Sequence, residues 1–220
     1  MWTGGGLFAV SLLVCAYSYL VTWGMPDRVG GGMLAGAGNV ALFAVFALHH
    51  SLFARPWMKA HVARVIPDRL LRSVYVWTAS VLLLIVLALW QPVGSEVYHV
   101  TGWRAVAHAG VQLAGLWLIA RSVARIDALE LAGITPQIPG RALHVDGPYR
   151  WVRHPLYLGW VLAVVGAAHM TADRLIFAAI SSTYVLVAVP LEERSLVNAF
   201  GEHYIRYARQ VRWRLVPYIY

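Results

Sequence analysis

Apolar residues are grouped in six long runs, separated by shorter segments that carry most of the charge. The runs lie at about 7–24, 34–54, 71–91, 104–121, 155–170 and 174–191. The first four contain 18 to 21 residues, enough for a helix to cross a hydrocarbon core of about 30 Å. The last two are shorter and predict a tight hairpin that turns at residues 170–173. This pattern predicts an all-α, polytopic membrane bundle of about six transmembrane helices.

The segment 191–211 has a different pattern from the six runs. Its apolar residues recur every three to five positions, with Glu202, Arg206 and Arg209 on other faces. This pattern predicts an amphipathic helix that lies at the membrane surface or packs under the bundle. We therefore expect one integral-membrane domain over 1–220. Within it, 1–122 would form a four-helix N-terminal part, and 123–220 would hold the hairpin and the C-terminal helix.

Composition and charge support a membrane protein and indicate its orientation. Hydrophobic residues make up 60% of the chain and charged residues 13%, about half the charged share of a soluble domain. The net charge of +8 is explained by topology rather than by nucleic-acid binding. If six spans place both termini in the cytoplasm, 15 of the 18 basic residues lie on the cytoplasmic side, as the positive-inside rule requires. The single cysteine, Cys15, excludes a disulfide framework or a cysteine-based metal site, and we predict no metal.

Candidate chemistry begins at the start of the fifth run. Gly147-Pro148 indicates a turn, and Pro155 suits the first position of a helix. The free N–H groups of that helix end, with Arg153 and His154 directly before it, could bind an anionic group. Alternatively, Arg153 only anchors the helix to lipid headgroups.

Two adjacent acids follow the sixth run. Between Gly159 and Glu192 lie 32 residues, the length of two short crossings and a turn, so Glu192 and Glu193 should return to the membrane face that carries Arg153 and His154. A pocket with cationic and carboxylate ends suits a zwitterionic ligand. The alternative is a Glu193–Arg pair that only stabilises the helix end, since unpaired carboxylates are costly at a bilayer edge.

These residues form an ordered set of motifs that resembles a known superfamily. The set is Gly147-Pro148-Tyr149, Arg153-His154-Pro155-x-Tyr157-x-Gly159, Glu192-Glu193-Arg194 and Phe200-Gly201-x-x-Tyr204-x-x-Tyr207. It resembles the integral-membrane methyltransferases, which include isoprenylcysteine carboxyl methyltransferase and the phospholipid N-methyltransferases. The resemblance implies that S-adenosylmethionine binds on the cytoplasmic side and that Arg153 positions the substrate or the methyl donor. The implied cofactor-binding residues are Tyr149, His154, Tyr157, Gly159, Glu192 and Glu193.

Motifs in the front half of the chain narrow the resemblance to a more specific family. The stretch His49-His50-Ser51-Leu52-Phe53-Ala54-Arg55-Pro56 and the segment 67–76 look like the bacterial methanethiol S-methyltransferases. This resemblance implies methylation of a small thiol, methanethiol to dimethyl sulfide, in a bacterial inner membrane. Carboxyl methylation of isoprenylcysteine and N-methylation of a phospholipid stay open, so the acceptor is a small thiol or is lipid-like. We expect contacts with membrane lipids, but neither nucleic acid nor an obligate protein partner.

A thiol acceptor raises the question of a base, because the thiolate is the nucleophile and the pKa of a cysteine thiol is about 8.5. His50 lies at the predicted cytoplasmic end of the second span and is the predicted catalytic base, although His154 could serve instead. For either histidine, a hydrogen bond to a neighbouring helix is the alternative role.

Two other classes of membrane protein compete with the enzyme. The nine histidines invite a haem or redox protein, but His50 and His108 lie at opposite ends of their predicted spans, and a bis-histidine haem needs matched depth. A transporter would need polar residues at mid-span, and those residues are few and uncharged. Both alternatives rank below a methyltransferase.

Overall fold

The structure, a computed structural model, describes residues 2–25, 28–53, 55–126, 129, 132, 134 and 143–220. Two short 3₁₀ helices, Thr22–Gly24 and Gly147–Arg150, accompany the main elements. The helices are α1 (Trp2–Leu20), α2 (Gly32–Phe53), α3 (Pro56–Val62), α4 (Asp68–Ala88), α5 (Gly102–Val123), α6 (Pro155–Val165), α7 (Ala172–Phe200) and α8 (Glu202–Gln210), and the strands are β1 (Glu96–His99) and β2 (His169–Thr171).

Within the described residues, five segments are long and apolar enough to cross a membrane: Trp2–Gly24, Gly32–Phe53, Asp68–Ala88, Gly102–Val123 and Ala172–Phe200. They confirm the predicted polytopic helical bundle. The predicted count of six is not confirmed, because the fifth run forms only the 11-residue helix α6. At 1.5 Å per residue, α6 is about 16 Å long and cannot cross the hydrocarbon core alone.

The predicted hairpin turn at residues 170–173 differs in the structure. His169–Thr171 forms strand β2, which pairs with β1 in a two-stranded sheet. An ion pair of 2.8 Å between His169 Nε2 and Glu96 Oε2 joins the two strands. The pairing partner is more than seventy residues away in the chain, so hydropathy alone could not reveal it.

The predicted amphipathic helix over 191–211 is also corrected. Residues 191–200 continue α7, and Gly201, with φ +53°, ends that helix because few other residues adopt this backbone conformation. The amphipathic part is α8 alone, which buries Tyr204 and Tyr207 and leaves Glu202, Arg206 and Arg209 exposed.

Contacts divide the chain into two compact units. Unit 1 comprises 1–98, 128–138 and 169–176. In it, α1 and α2 both contact α4, and the rings of Trp23 and Trp90 lie 4.4 Å apart. The mid-span Asn39 exchanges two hydrogen bonds with the backbone of Gln91, so its amide serves the fold.

Unit 2 comprises 99–127, 139–168 and 177–220. Here α5 packs against α6, and Val185 and Val189 of α7 form an apolar core with Leu215 from the C-terminal segment. The predicted division of one domain near residue 122 follows chain order and stays a prediction.

Candidate active site

The Arg-His-Pro segment joins a 3₁₀ turn to α6 in unit 2. Gly147, with φ +59°, opens the turn, and Arg125 binds the neighbouring Asp146 with an ion pair of 2.6 Å. Pro155 is the first residue of α6, as predicted. His154 and Arg153, directly before it, are both buried rather than extended toward headgroups.

Glu193 is the centre of the site. Its Oε1 accepts a hydrogen bond from Nε of Arg153 at 2.6 Å, and its Oε2 accepts one from Nε of Arg214 at 2.9 Å. His154 Nε2 lies 3.4 Å from the same Oε1. The chain therefore brings together the predicted Arg153, His154 and Glu193 and adds an arginine that the sequence reasoning missed. The ion pair that we considered as an alternative is present, but it involves two arginines.

The C-terminal segment closes over Arg153. Nη1 of Arg153 donates to the carbonyl oxygens of Val211 at 2.8 Å and of Arg212 at 2.9 Å. The backbone N–H groups of Arg153 and His154 donate to the carbonyls of Trp213 and Arg214. Arg153 thus holds this segment in place, and the same contacts bring Arg214 to Glu193. The only sequence signal for Arg214 was the basic character of the tail.

One polar atom beside this cluster, Oε2 of Glu192, is buried without a hydrogen bond to any described residue. Nδ1 of His154 lies 3.8 Å from it. The hydroxyl of Tyr204 is also buried and lies under the influence of the Glu193 carboxylate. The His154 ring also stacks on Tyr157, with centroids 5.6 Å apart. Buried polar atoms without partners are rare in folded proteins, and here the free Glu192 oxygen indicates a place for a ligand group.

Three tyrosines of this unit keep their protons. Burial, and then the Glu192 carboxylate, raises the pKa of Tyr149 to about 12. Burial, and then the Glu193 carboxylate, raises the pKa of Tyr204, and burial also raises the pKa of Tyr207. The Tyr207 hydroxyl donates a hydrogen bond of 2.7 Å to the carbonyl of Tyr149. This contact fastens α8 to the turn before α6.

Gly159 has a packing role in the structure. A Cβ atom there would lie 2.7 Å from the carbonyl oxygen of Gly115, and one on Gly115 would lie 2.6 Å from the carbonyl oxygen of Gly159. The absence of both side chains allows α5 and α6 to approach each other closely. A role of Gly159 in cofactor binding stays a prediction.

The predicted base, His50, belongs to unit 1. The Tyr75 hydroxyl lies 2.9 Å from Nδ1 of His50, and the His50 ring stacks on Phe46. The guanidinium of Arg72 lies 5.6 Å from the centre of the Tyr75 ring. These contacts hold His50 in one orientation, and its catalytic role stays a prediction.

Comparison with known proteins identifies the family of this chain. The isoprenylcysteine carboxyl methyltransferase (ICMT) family matches residues 131–198, which include the Arg-His-Pro segment and both acids. Methanethiol S-methyltransferase 2 of Bradyrhizobium diazoefficiens is 36% identical over 206 residues, covering 90% of this chain and 78% of that protein. The chain belongs to the methanethiol S-methyltransferase family. It is thus a membrane methyltransferase, as the motifs predicted.

Further members of the family are similar over most of the chain. The methanethiol S-methyltransferase of Mycobacterium tuberculosis is 36% identical and covers 79% of this chain and 75% of its own length. The enzyme of Crocosphaera subtropica is 33% identical, with 82% and 74% covered. Because these matches extend well beyond 131–198, the front half of the chain also belongs to the family pattern.

Proposed function

We propose that this protein transfers a methyl group from S-adenosylmethionine to methanethiol and releases dimethyl sulfide. The observation that carries the proposal is the pair Glu192–Glu193, of which one carboxylate is fully engaged by cations and the other keeps a buried oxygen without a partner. The names of the relatives supply the acceptor, methanethiol.

The donor set of S-adenosylmethionine fits the free atoms of this site. Its ammonium and ribose hydroxyl groups are hydrogen-bond donors, and Glu192 Oε2 is an acceptor that lacks one. The proposed cofactor-binding residues are Tyr149, His154, Tyr157, Gly159, Glu192 and Glu193. When bound, the cofactor supplies a methyl group on a positively charged sulfur.

Arg153 acts in this proposal by positioning. It links Glu193 to the C-terminal segment, so it aligns the carboxylates and excludes water from them. Methyl transfer forms a bond between the thiol sulfur and the methyl carbon and breaks the bond between that carbon and the sulfonium. The thiol must also lose its proton. We assign His50, whose Nδ1 lies beside the Tyr75 hydroxyl, as the base that accepts it.

The proposed topology has six crossings with both termini in the cytoplasm of a bacterial inner membrane. Helix α7 rises about 30 Å between Ala172 and Glu193, and His154 contacts Glu193, so residues 155–171 must cover the same length. Helix α6 and the extended residues after it supply that length. This topology places 15 of the 18 basic residues in the cytoplasm.

The proposal is tested with membranes that contain the protein, S-adenosylmethionine with a labelled methyl group, and methanethiol. We expect labelled dimethyl sulfide in the headspace. Arg153→Ala should abolish it, and Arg150→Ala, which changes an exposed arginine three residues earlier, should not. His50→Ala should lower turnover and leave cofactor binding intact.

Two negative results of this experiment would lead to different conclusions. Cofactor binding without labelled dimethyl sulfide would reject the thiol and move the search to isoprenylcysteine or phospholipid acceptors, which the ICMT-family match keeps as the second candidates. No binding of S-adenosylmethionine by the folded protein would reject the proposed site.

A further inference from the structure

Unit 1 contains a cavity that borders Tyr75, the hydrogen-bond partner of His50, and to which the proposed reaction assigns no ligand. It has a volume of about 350 Å³ and lies between the end of α2, the short helix α3 and the first turns of α4. This volume falls in the range of about 300–1,000 Å³ that is typical of small-molecule sites. Methanethiol, with two heavy atoms, would fill only a small part of it.

The polar side of the cavity is cationic. Lys59, Arg69 and Arg72 line it, together with a single acid, Asp68. Lys59 is exposed, yet the desolvation of its ammonium group and then the charge of Arg72 lower its pKa. Desolvation and the neighbouring guanidinium both disfavour the charged ammonium, and a bound anion would compensate for both effects. S-adenosylmethionine carries a net positive charge, so this cavity repels the methyl donor.

The opposite side of the cavity is apolar and contains one free polar atom. Phe53, Val62, Ile66 and Leu71 line this side. His49 also lines the cavity, and its buried Nδ1 has no hydrogen-bond partner in the part of the chain that the structure describes. The cavity thus combines an apolar wall, a cationic rim and one unsatisfied ring nitrogen, which suits an anionic amphiphile with a hydroxyl group.

The position of the cavity in the fold favours a lipid. Helices α2 and α4 are long and apolar enough to cross a membrane, and the cavity lies where α2 ends and α4 begins. That end of two spans is the boundary between hydrocarbon and water, where phospholipid headgroups lie. Basic pockets at this depth attract anionic headgroups, each lysine or arginine contributing about 1 kcal/mol.

We propose that this cavity binds an anionic phospholipid, with its phosphate at Lys59, Arg69 and Arg72 and the first methylene groups of its acyl chains against the apolar wall. The phosphate-binding residues proposed here are not those assigned to methyl transfer, although Tyr75, the hydrogen-bond partner of His50, also lines the cavity. The bound lipid holds α3 against α2 and α4, and this contact requires no chemical change in the lipid.

The test measures which lipids the full-length protein retains. The protein is extracted from nanodiscs that contain equal amounts of dioleoyl phosphatidylglycerol and dioleoyl phosphatidylcholine, and the bound lipids are counted by native mass spectrometry. We expect phosphatidylglycerol to be retained over phosphatidylcholine, and the double variant Lys59→Gln/Arg69→Gln to lower its retention about tenfold or more. The matched control Arg64→Gln changes an exposed arginine of the same connection that does not line the cavity and should have no effect.

The charge-preserving variant Lys59→Arg/Arg69→Lys should retain the lipid and shows that charge, not shape, is responsible. Equal retention of both lipids, or unchanged retention by the glutamine variant, would overturn the proposal. So would an equal loss with Arg64→Gln, since binding would then be a general surface effect. Displacement of the lipid by millimolar inorganic phosphate would reject the lipid and assign the cavity to a free anion. The glutamine variant is also assayed for production of labelled dimethyl sulfide. This assay tests the proposed reaction independently of lipid binding, so a failure of one proposal can be distinguished from a failure of the other.

Discussion

Helix α7 carries a buried carboxylate near each of its ends, and the two have different surroundings. Near the N-terminus, Asp173 accepts hydrogen bonds from the Trp90 indole at 2.7 Å and from the Val93 backbone. Its neighbour Arg174 donates to the carbonyls of Tyr19, Leu20 and His169, which uses all three guanidinium nitrogens. Nη1 of Arg28 lies 3.4 Å from Oδ2 of Asp173 and is buried without a hydrogen bond to any described residue. Apart from that nitrogen, the contacts of this N-terminal cluster are with groups of the fold.

Near the other end, both carboxylate oxygens of Glu193 have partners, but a neighbouring carboxylate oxygen does not. Arg153, Arg214 and His154 surround the Glu193 carboxylate, whereas Glu192 Oε2 has no hydrogen-bond partner in the part of the chain that the structure describes. Both clusters pair an acid of α7 with arginines from other segments. They differ in the kind of atom left free, which is a guanidinium nitrogen beside Asp173 and a carboxylate oxygen beside Glu193. We expect the first cluster to stabilise the fold and the second, whose free oxygen can accept a hydrogen bond from a cationic ligand, to bind one.

The largest effect should come from Glu193→Gln. A glutamine amide can accept only through its single oxygen, so it cannot hold Arg153 and Arg214 together, and we expect methyl transfer to fall about 100-fold. The measurement is labelled-methyl transfer per folded protein, with Glu202→Gln, at an exposed acid of α8, as the control. A loss smaller than threefold would place the chemistry elsewhere.

Arg174→Gln should break the N-terminal cluster and leave the chemistry intact. Three carbonyls would lose their hydrogen-bond donor and Asp173 would lose an adjacent positive charge. We therefore expect the free energy of unfolding to fall by about 3 kcal/mol. The thermal midpoint of the purified protein measures this loss, and Arg104→Gln, at an exposed arginine of α5, is the control. If the midpoint stays unchanged while activity disappears, the distinction between the two clusters is wrong.

Glu192→Gln should separate binding from folding. Because Oε2 of Glu192 has no hydrogen-bond partner among the described residues, its replacement costs the fold little. We expect affinity for S-adenosylmethionine to fall about tenfold, or about 1.4 kcal/mol, at an unchanged thermal midpoint. Calorimetric titration measures the first quantity and a melting curve the second, and a lowered midpoint with normal affinity would show that the carboxylate is structural.

The smallest effect should come from Tyr207→Phe. It removes the hydrogen bond to the Tyr149 carbonyl, which contributes about 1 kcal/mol to stability. Burial raises the pKa of Tyr207, so the neutral phenol stabilises the fold below its ordinary pKa of about 10, and this contribution is lost as pH rises through the raised value. The difference in melting temperature between wild type and variant should thus be constant from pH 6 to 9. A difference that varied over this range would mean that the phenol ionises there.

The sequence predicted the helices of this protein better than it predicted the contacts between them. Hydropathy located the five long helices and the start of α6 at Pro155, because these features depend on residues close together in the chain. The motif order also brought Arg153, His154 and Glu193 to one site. It missed strand β2 and the end of α7 at Gly201, since a strand pair and a positive φ leave no mark in apolar periodicity.

The sequence by itself determined the membrane class, the positions of the apolar spans, the family and three of the polar groups that meet at the site, Arg153, His154 and Glu193. The tertiary structure decided which of those groups meet. Arg214 reaches Glu193 across 21 residues, and the carbonyl of Val211 reaches Arg153 across 58. The physical reason is that an apolar run forms a span because burying its own residues is favourable, and this can be read from the run alone. A hydrogen bond between distant segments depends on how the helices between them pack, which the run does not specify.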